Sequence, residues 1–231
     1  AAQAGEMVDA ARRHDRFLME AMWTWFIPAV VDIRRRVLEG EIGQLKVVEA
    51  NFGIPVAEPD GRHRRLDLAG GAMLDIGIYP VTFARFLAGE PVAAQVSGTL
   101  GDTGVDANVA GVVTFASGAM GVFHTSLDMT TNLRASVYGT GGRIDVDAPF
   151  WFPSGFTVHR DGEDSVRVDM AHQGLAHEAI HAMERIRAGH RESDVIPLAT
   201  TISTMELLDD IRGQLGGIYP EERRSQAGES A

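Results

Sequence analysis

The chain has 231 residues, a formal net charge of -11, 45% hydrophobic and 23% charged residues, and no cysteine. That composition suits one large globular domain, or one domain plus a fragment. It excludes disulfides and thiolate metal sites, and it argues against a nucleic-acid partner, which needs clustered Lys and Arg. Lys46 is the only lysine, and the runs Arg34-Arg35-Arg36 and Arg62-His63-Arg64-Arg65 read as solvated face or loop charges. No apolar run approaches the roughly 20 residues of a membrane helix, and no secretory leader pattern opens the chain. A cytoplasmic location and no membrane partner are therefore expected.

In chain order, residues 2–14 place Ala4, Met7, Val8 and Ala11 at helical spacing. Residues 17–21 read as a short apolar strand. Helix then strand is the pattern of the last α/β unit of a parallel sheet. A second helix is predicted over 26–39, begun near Pro28 and stopped at Gly40. A strand follows at 46–52, then a polar loop over 53–69, a length that is often functional. Gly70-Gly71 precede a helix over 73–87. Strands are predicted at 93–100, 106–115, 119–126, 132–138 and 143–146, with two more at 157–160 and 165–169. Their short turns imply antiparallel pairing. Helices at 174–188 and 200–215 precede a polar tail over 221–231, expected to fray. The order implies an α+β fold: an open-faced, mainly antiparallel sheet with helices on one face. In the stretch 109–115 only Thr114 is clearly polar, as in strands covered on both faces. The few helices can cover one face, so the other is expected to meet a second copy in a homo-dimer or higher homo-oligomer.

Three groups of residues could carry chemistry. Asp75 and Tyr79 lie four apart on the predicted helix and so share a face; a phenol there can act as a general acid. The plainer alternative is that Asp75 caps the helix and Tyr79 packs. Phe150, Trp151 and Phe152 form an aromatic run that could wall a pocket, or serve as core or interface. His177-Glu178-Ala179-Ile180-His181 matches the His-Glu-x-x-His zinc-protease pattern. Glu206, downstream on another helix, could be a third ligand, but no metzincin-type Gly and third His follow, so no metal is expected. The motif's own helix should instead pack Ala179, Ile180, Met183 and Ile186 against the sheet.

One stretch ties these readings together. Asp67-Leu68-Ala69-Gly70-Gly71-Ala72-Met73-Leu74-Asp75-Ile76-Gly77-Ile78-Tyr79-Pro80 resembles the substrate-side signature of the Gfo/Idh/MocA oxidoreductases, in the branch with dimeric dihydrodiol dehydrogenases and glucose-fructose oxidoreductase. The resemblance extends in order through Glu20-Ala21-Met22-Trp23-Thr24 with Phe26-Ile27-Pro28, then Glu39-Gly40-Glu41-Ile42-Gly43. It continues through Tyr138-Gly139-Thr140-Gly141-Gly142-Arg143-Ile144 and Ala148-Pro149-Phe150-Trp151. It ends at Leu208-Asp209-Asp210-Ile211-Arg212 and Gly217-Ile218-Tyr219-Pro220. It implies a Rossmann domain followed by an open-sheet domain. Residues 1–25 would then be a remnant of the dinucleotide-binding domain, and 26–220 the substrate and oligomerisation domain.

The implied activity is NAD(P)-dependent hydride transfer at a carbinol carbon of a sugar, cyclitol or dihydrodiol. Asp75 and Tyr79 would be the catalytic pair, and Trp23, Phe150 and Trp151 would bind substrate. Three departures accompany the resemblance. No Gly-x-Gly-x-x-Gly phosphate loop occurs. The family's Glu-Lys-Pro lysine has no counterpart, and Trp25 stands where the branch has Arg. NAD or NADP would thus need the missing N-terminal domain, and no cofactor-binding residue is expected in this chain. The alternative is a non-catalytic dimerisation domain left after loss of the nucleotide half.

Overall fold

The computed structural model describes residues 1–58 and 61–220; the tail expected to fray, 221–231, lies outside them. Its centre is one sheet of eight strands: β1 (Leu45–Gly53), β2 (Pro91–Leu100), β3 (Asp106–Phe115), β4 (Met120–Ser126), β5 (Ala135–Gly139), β6 (Gly142–Val146), β7 (Gly155–Arg160) and β8 (Val166–Asp169). Their spatial order is β2-β3-β4-β1-β5-β6-β7-β8. Every pairing is antiparallel except β1 with β4, which run parallel, Val48 beside Gly121 and Phe52 beside Thr125. The expected sheet forms, with one difference. Turn lengths alone join β4 to β5, whereas β1 inserts between them. A parallel pair needs a long crossover, and the whole segment from residue 54 to β4 supplies it.

Side chains alternate across the sheet. In β4, Gly121, Phe123 and Thr125 are buried, while Met120 and Val122 face solvent. The buried set packs under α2 (Pro28–Leu38), α3 (Ile78–Ala88) and α5 (Leu198–Gln214). Residues 80–88 of α3 are all buried, as expected of a helix apolar on every side. Gly121 makes this possible: a Cβ there would lie 2.9 Å from that of Ala84. The buried Arg85 ties α3 to α5 through Thr200 O at 3.0 Å, Thr204 Oγ1 at 2.5 Å and Ser203 Oγ at 2.7 Å. Trp25, in place of the cation noted above, is buried in this layer; its indole donates to Thr82 O at 3.2 Å and its ring lies 4.6 Å from Phe86.

Two sequence expectations fail. The strand at 17–21 does not form: the segment takes no regular structure, and Leu18 N–H donates to Arg191 O at 3.1 Å instead of joining a ladder. An apolar run becomes a strand only beside a neighbour, and the sheet's two edges lie elsewhere. The preceding helix, α1 (Ala2–Arg13), packs on α5. The second failure is α4 (Ala176–Arg187), which has no buried residue. Ile180, Met183 and Ile186 are 43%, 45% and 53% exposed instead of packing on the sheet. The helix turns its polar side inward: His181 meets Ser193 Oγ at 2.8 Å and stacks near Phe26, and Arg185 reaches Asp194 at 3.4 Å. Burial raises the Glu20 and Glu178 carboxyls above their ordinary range, and Glu20 adds repulsion at Glu178.

Candidate active site

The segment from Gly70 to Ala88 carries the sequence-predicted pair. Its first part, Met73–Gly77, winds as a π-helix before α3 begins; such wide turns are frequent at functional sites. Glycine is needed around it. At Gly70 a Cβ would meet the carbonyls of Arg62, His63 and Arg65 at 2.5, 2.7 and 2.8 Å; at Gly77 it would meet Met73 Sδ at 2.8 Å. Those loop carbonyls are also acceptors: Gly70 N–H donates to Arg65 O at 2.8 Å and Gly71 N–H to His63 O at 2.9 Å. The loop is thereby strapped against the start of the helix.

The strap brings two unexpected residues to Asp75. Its carboxylate, with the side chain 15% exposed, is ion-paired with Arg62 and lies 3.2 Å from His63 Nε2. Arg62 is itself 58% exposed. The basic run is therefore divided in use. Arg65 pairs with Asp67 at the surface, as a loop charge would. Arg64 anchors the loop through Val56 O at 3.3 Å, Leu127 O at 2.9 Å and Asp128 at 2.7 Å, and its guanidinium holds the Asp128 carboxyl below the usual range. Arg62 and His63 serve Asp75. Nothing in their spacing signalled this, because a loop's path decides it.

Tyr79 faces an aromatic wall. Its hydroxyl accepts a hydrogen bond from Trp23 Nε1 at 3.2 Å. Its ring lies 5.5 Å from Phe52 and 6.1 Å from Trp151. Phe52 and Trp151 stack at 3.8 Å, and Trp23 stacks on Phe152 at 5.3 Å. Phe150 lies behind the wall, 0% exposed, with its edge toward Trp151 and Phe83. Tyr79, Trp23, Trp151 and Phe150 are thus brought together, with Phe52 from the end of β1 added. Asp75 turns instead to the loop, so the two members of the pair have different neighbours. Trp23 reaches Tyr79 from a short 3₁₀ turn, Trp23–Phe26.

The other candidate motif divides its histidines. His177 Nε2 accepts Gln173 N–H at 3.0 Å, while His181 turns to Ser193. Among the described residues, no group of three or more His, Cys, Asp or Glu gathers to hold a metal, and no helix is long and apolar enough to cross a membrane.

Comparison with known proteins places this geometry in context. The model of the GFO/IDH/MocA C-terminal domain matches residues 30–145. Human trans-1,2-dihydrobenzene-1,2-diol dehydrogenase is 34% identical over 233 residues, covering 97% of this chain and 70% of that protein. The Xenopus tropicalis enzyme of the same name is 30% identical over 232 residues, covering 95% of this chain and 69% of its own length. Among solved structures, aldose-aldose oxidoreductase from Caulobacter crescentus, complexed with glycerol, aligns with a TM-score of 0.81 at 23% identity, covering 93% of this chain and 66% of that one. KijD10, a 3-ketoreductase from Actinomadura kijaniata in complex with NADP and TDP-benzene, aligns with a TM-score of 0.79 at 22% identity, covering 92% of this chain and 67% of that one. The structural likeness is one of fold.

Proposed function

The chain belongs to the Gfo/Idh/MocA family, and from that premise we propose that it is the substrate-side domain of an NAD(P)-dependent oxidoreductase. The reaction is hydride transfer at a carbinol carbon of a small cyclic polyol: a sugar, a cyclitol or a dihydrodiol. NAD(P) supplies or accepts the hydride. The described residues do not fit the dinucleotide itself. They contain no strand–Gly-x-Gly-x-x-Gly–helix unit to cradle a pyrophosphate. That cradle would come from the family's N-terminal domain.

The chain's own part is the proton. The observation that carries the reading is the bond from Trp23 Nε1 to the Tyr79 hydroxyl. An indole N–H only donates, so it occupies an acceptor position on Tyr79 Oη and leaves the phenolic O–H free to donate to a substrate oxygen. In the reducing direction Tyr79 gives its proton to the carbonyl oxygen; in the oxidising direction the phenolate takes it back, with Trp23 stabilising the anion. Trp151 and Phe52, buried and stacked on each other, back the Tyr79 ring, while Asp75, oriented by Arg62 and His63, accepts a hydrogen bond from a substrate hydroxyl. NAD versus NADP is left to the domain that would hold it.

The test is a chimaera with a family dinucleotide-binding domain fused ahead of residue 1, assayed for NAD(P)H-linked turnover of cyclic diols and sugars. Tyr79→Phe should cut turnover by roughly 10²–10⁴, the range for a general acid. Near-normal turnover in that variant would assign the proton to another group. A chimaera that binds NADPH yet turns over no substrate would favour a non-catalytic association domain. The exposed Met120 and Val122 on the sheet's free face make that second reading concrete.

A further inference from the structure

Helix starts leave backbone N–H groups without helical partners. The segment bearing Asp75 and Tyr79 has no side-chain cap of its own; Ala72 occupies the position. The missing acceptor arrives from another element. Asp106, at the first residue of β3, accepts Met73 N–H at 2.6 Å. The carboxylate is 4% exposed. Gly71 leaves room for its other oxygen: the residue has φ +128°, and a Cβ there would run into Asp106 Oδ1. The same collar is closed from α5 and the residues that follow it. Tyr219 donates its hydroxyl to Gly70 O at 2.5 Å, and the Arg212 guanidinium lies 4.2 Å over the Tyr219 ring. Because Gly71 N–H is bonded to His63 O, whatever fixes residues 70–73 also fixes the loop that brings His63 to Asp75.

We propose that Asp106 is a positioning residue of the site: its buried carboxylate fixes the first turn of the segment carrying Asp75 and Tyr79, and so holds the Tyr79 hydroxyl against Trp23. Its meaning for catalysis rests on the proposed role of Tyr79, but the positioning itself can be read without turnover. Burial pushes the Asp106 carboxyl up to about 6, against the opposing pull of the Met73 and Ala72 amides and of Arg212. The charged and titratable groups facing it are Arg212, which is paired with Asp209, and Tyr219 beyond it; the helix side presents backbone amides. Above that pH the carboxylate is the stronger, charged acceptor. Below it, protonation weakens the collar.

The experiment is nuclear magnetic resonance on this chain, with Trp23 as reporter. The three indole N–H signals are assigned with single Trp→Phe variants. Trp23 is bonded to Tyr79, whereas Trp25 is bonded to Thr82 O and reports on the core. In Asp106→Asn, the Trp23 indole should shift, amides 72–79 should exchange at least tenfold faster, and the Trp25 indole should stay. In the wild type, the Trp23 signal should titrate with a midpoint near pH 6, and should do so equally in His63→Gln and in His172→Gln, which remove the imidazoles beside Asp75 and Phe152. An unchanged Trp23 signal in a folded Asp106→Asn protein would overturn the proposal. So would equal shifts of both indoles, which would make Asp106 a general structural residue. If the variant does not fold, Asp106→Ser is read in its place with the same signals: an unchanged Trp23 indole, or equal shifts of both indoles, defeats the idea. Loss of the Tyr79 hypothesis in the chimaera would leave these signals untouched, so the two failures are distinguishable.

Discussion

Gly71→Ala measures how firmly the collar around the site is held. Gly71 has φ +128°, a conformation that costs a residue with a Cβ about 1–3 kcal/mol. The new methyl would also meet Asp106 Oδ1. That oxygen cannot swing away freely, because Oδ2 is held at 2.6 Å by Met73 N–H. Displacing it weakens a charge-assisted hydrogen bond, a further loss of about 1.5–3 kcal/mol. The two effects give roughly 2.5–6 kcal/mol. Gly118→Ala is the control: its φ is +82° and nothing lies within 4 Å of the added carbon, so it should cost only about 1–2 kcal/mol. Urea unfolding followed by tryptophan fluorescence separates them. With a slope of about 2 kcal/mol/M, the Gly71 midpoint should fall about 1.4 M further than the Gly118 midpoint at the centre of these ranges, and about 0.25 M further where they lie closest. The slopes should be equal. In the double variant with Asp106→Ser, the costs should sum to less than the two singles, since the collision is gone. A Gly71→Ala protein no less stable than Gly118→Ala would refute the reasoning, because the carboxylate would then be free to move.

Titrating NADH or NADPH into this chain while following nicotinamide fluorescence should give no saturable micromolar binding, since no phosphate loop is present in the sequence; saturation would show a binding mode outside the family pattern. Light scattering across dilution should show a dimer or larger assembly, broken by Val122→Asp on the sheet's free face; a monomer throughout the micromolar range would sink the idea.

The fold was legible wherever period and punctuation agree. The strands β3 and β4 follow from their apolar runs and from the turn signal at Ser117-Gly118 between them, and α3 follows from its continuous apolar run. The span of the site helix was also legible, but its π-type opening was not, because that depends on what the turn must fit around rather than on propensity. The parallel pairing of β1 with β4 leaves no local trace, since strand order is a tertiary choice. The inward polar face of α4 inverts the rule that an amphipathic helix buries its apolar stripe. Sequence sees the stripe but not which side meets the protein. At the site, Tyr79 and the aromatic run could be picked out because they fall within or beside a recognisable signature. Arg62, His63 and Asp106 could not. Each reaches the helix across a turn or a strand boundary, and each is of a type that is ordinarily solvated.

The way these residues are held separates the site into a fixed part and an adjustable part. Tyr79 stands on a helix buried on every side, tied to α5 by Arg85 and capped from β3 by Asp106. Asp75 stands one turn earlier, and its two partners come from a loop that lies outside the sheet. That loop is fixed by the Arg64 anchor and by backbone bonds to Gly70 and Gly71. Substitutions in it at Arg62 or His63 therefore change the surroundings of Asp75 while leaving Tyr79 in place. If Tyr79 moves the proton as proposed, a protein that keeps it and varies the loop can alter which hydroxyl pattern it accepts without rebuilding that group.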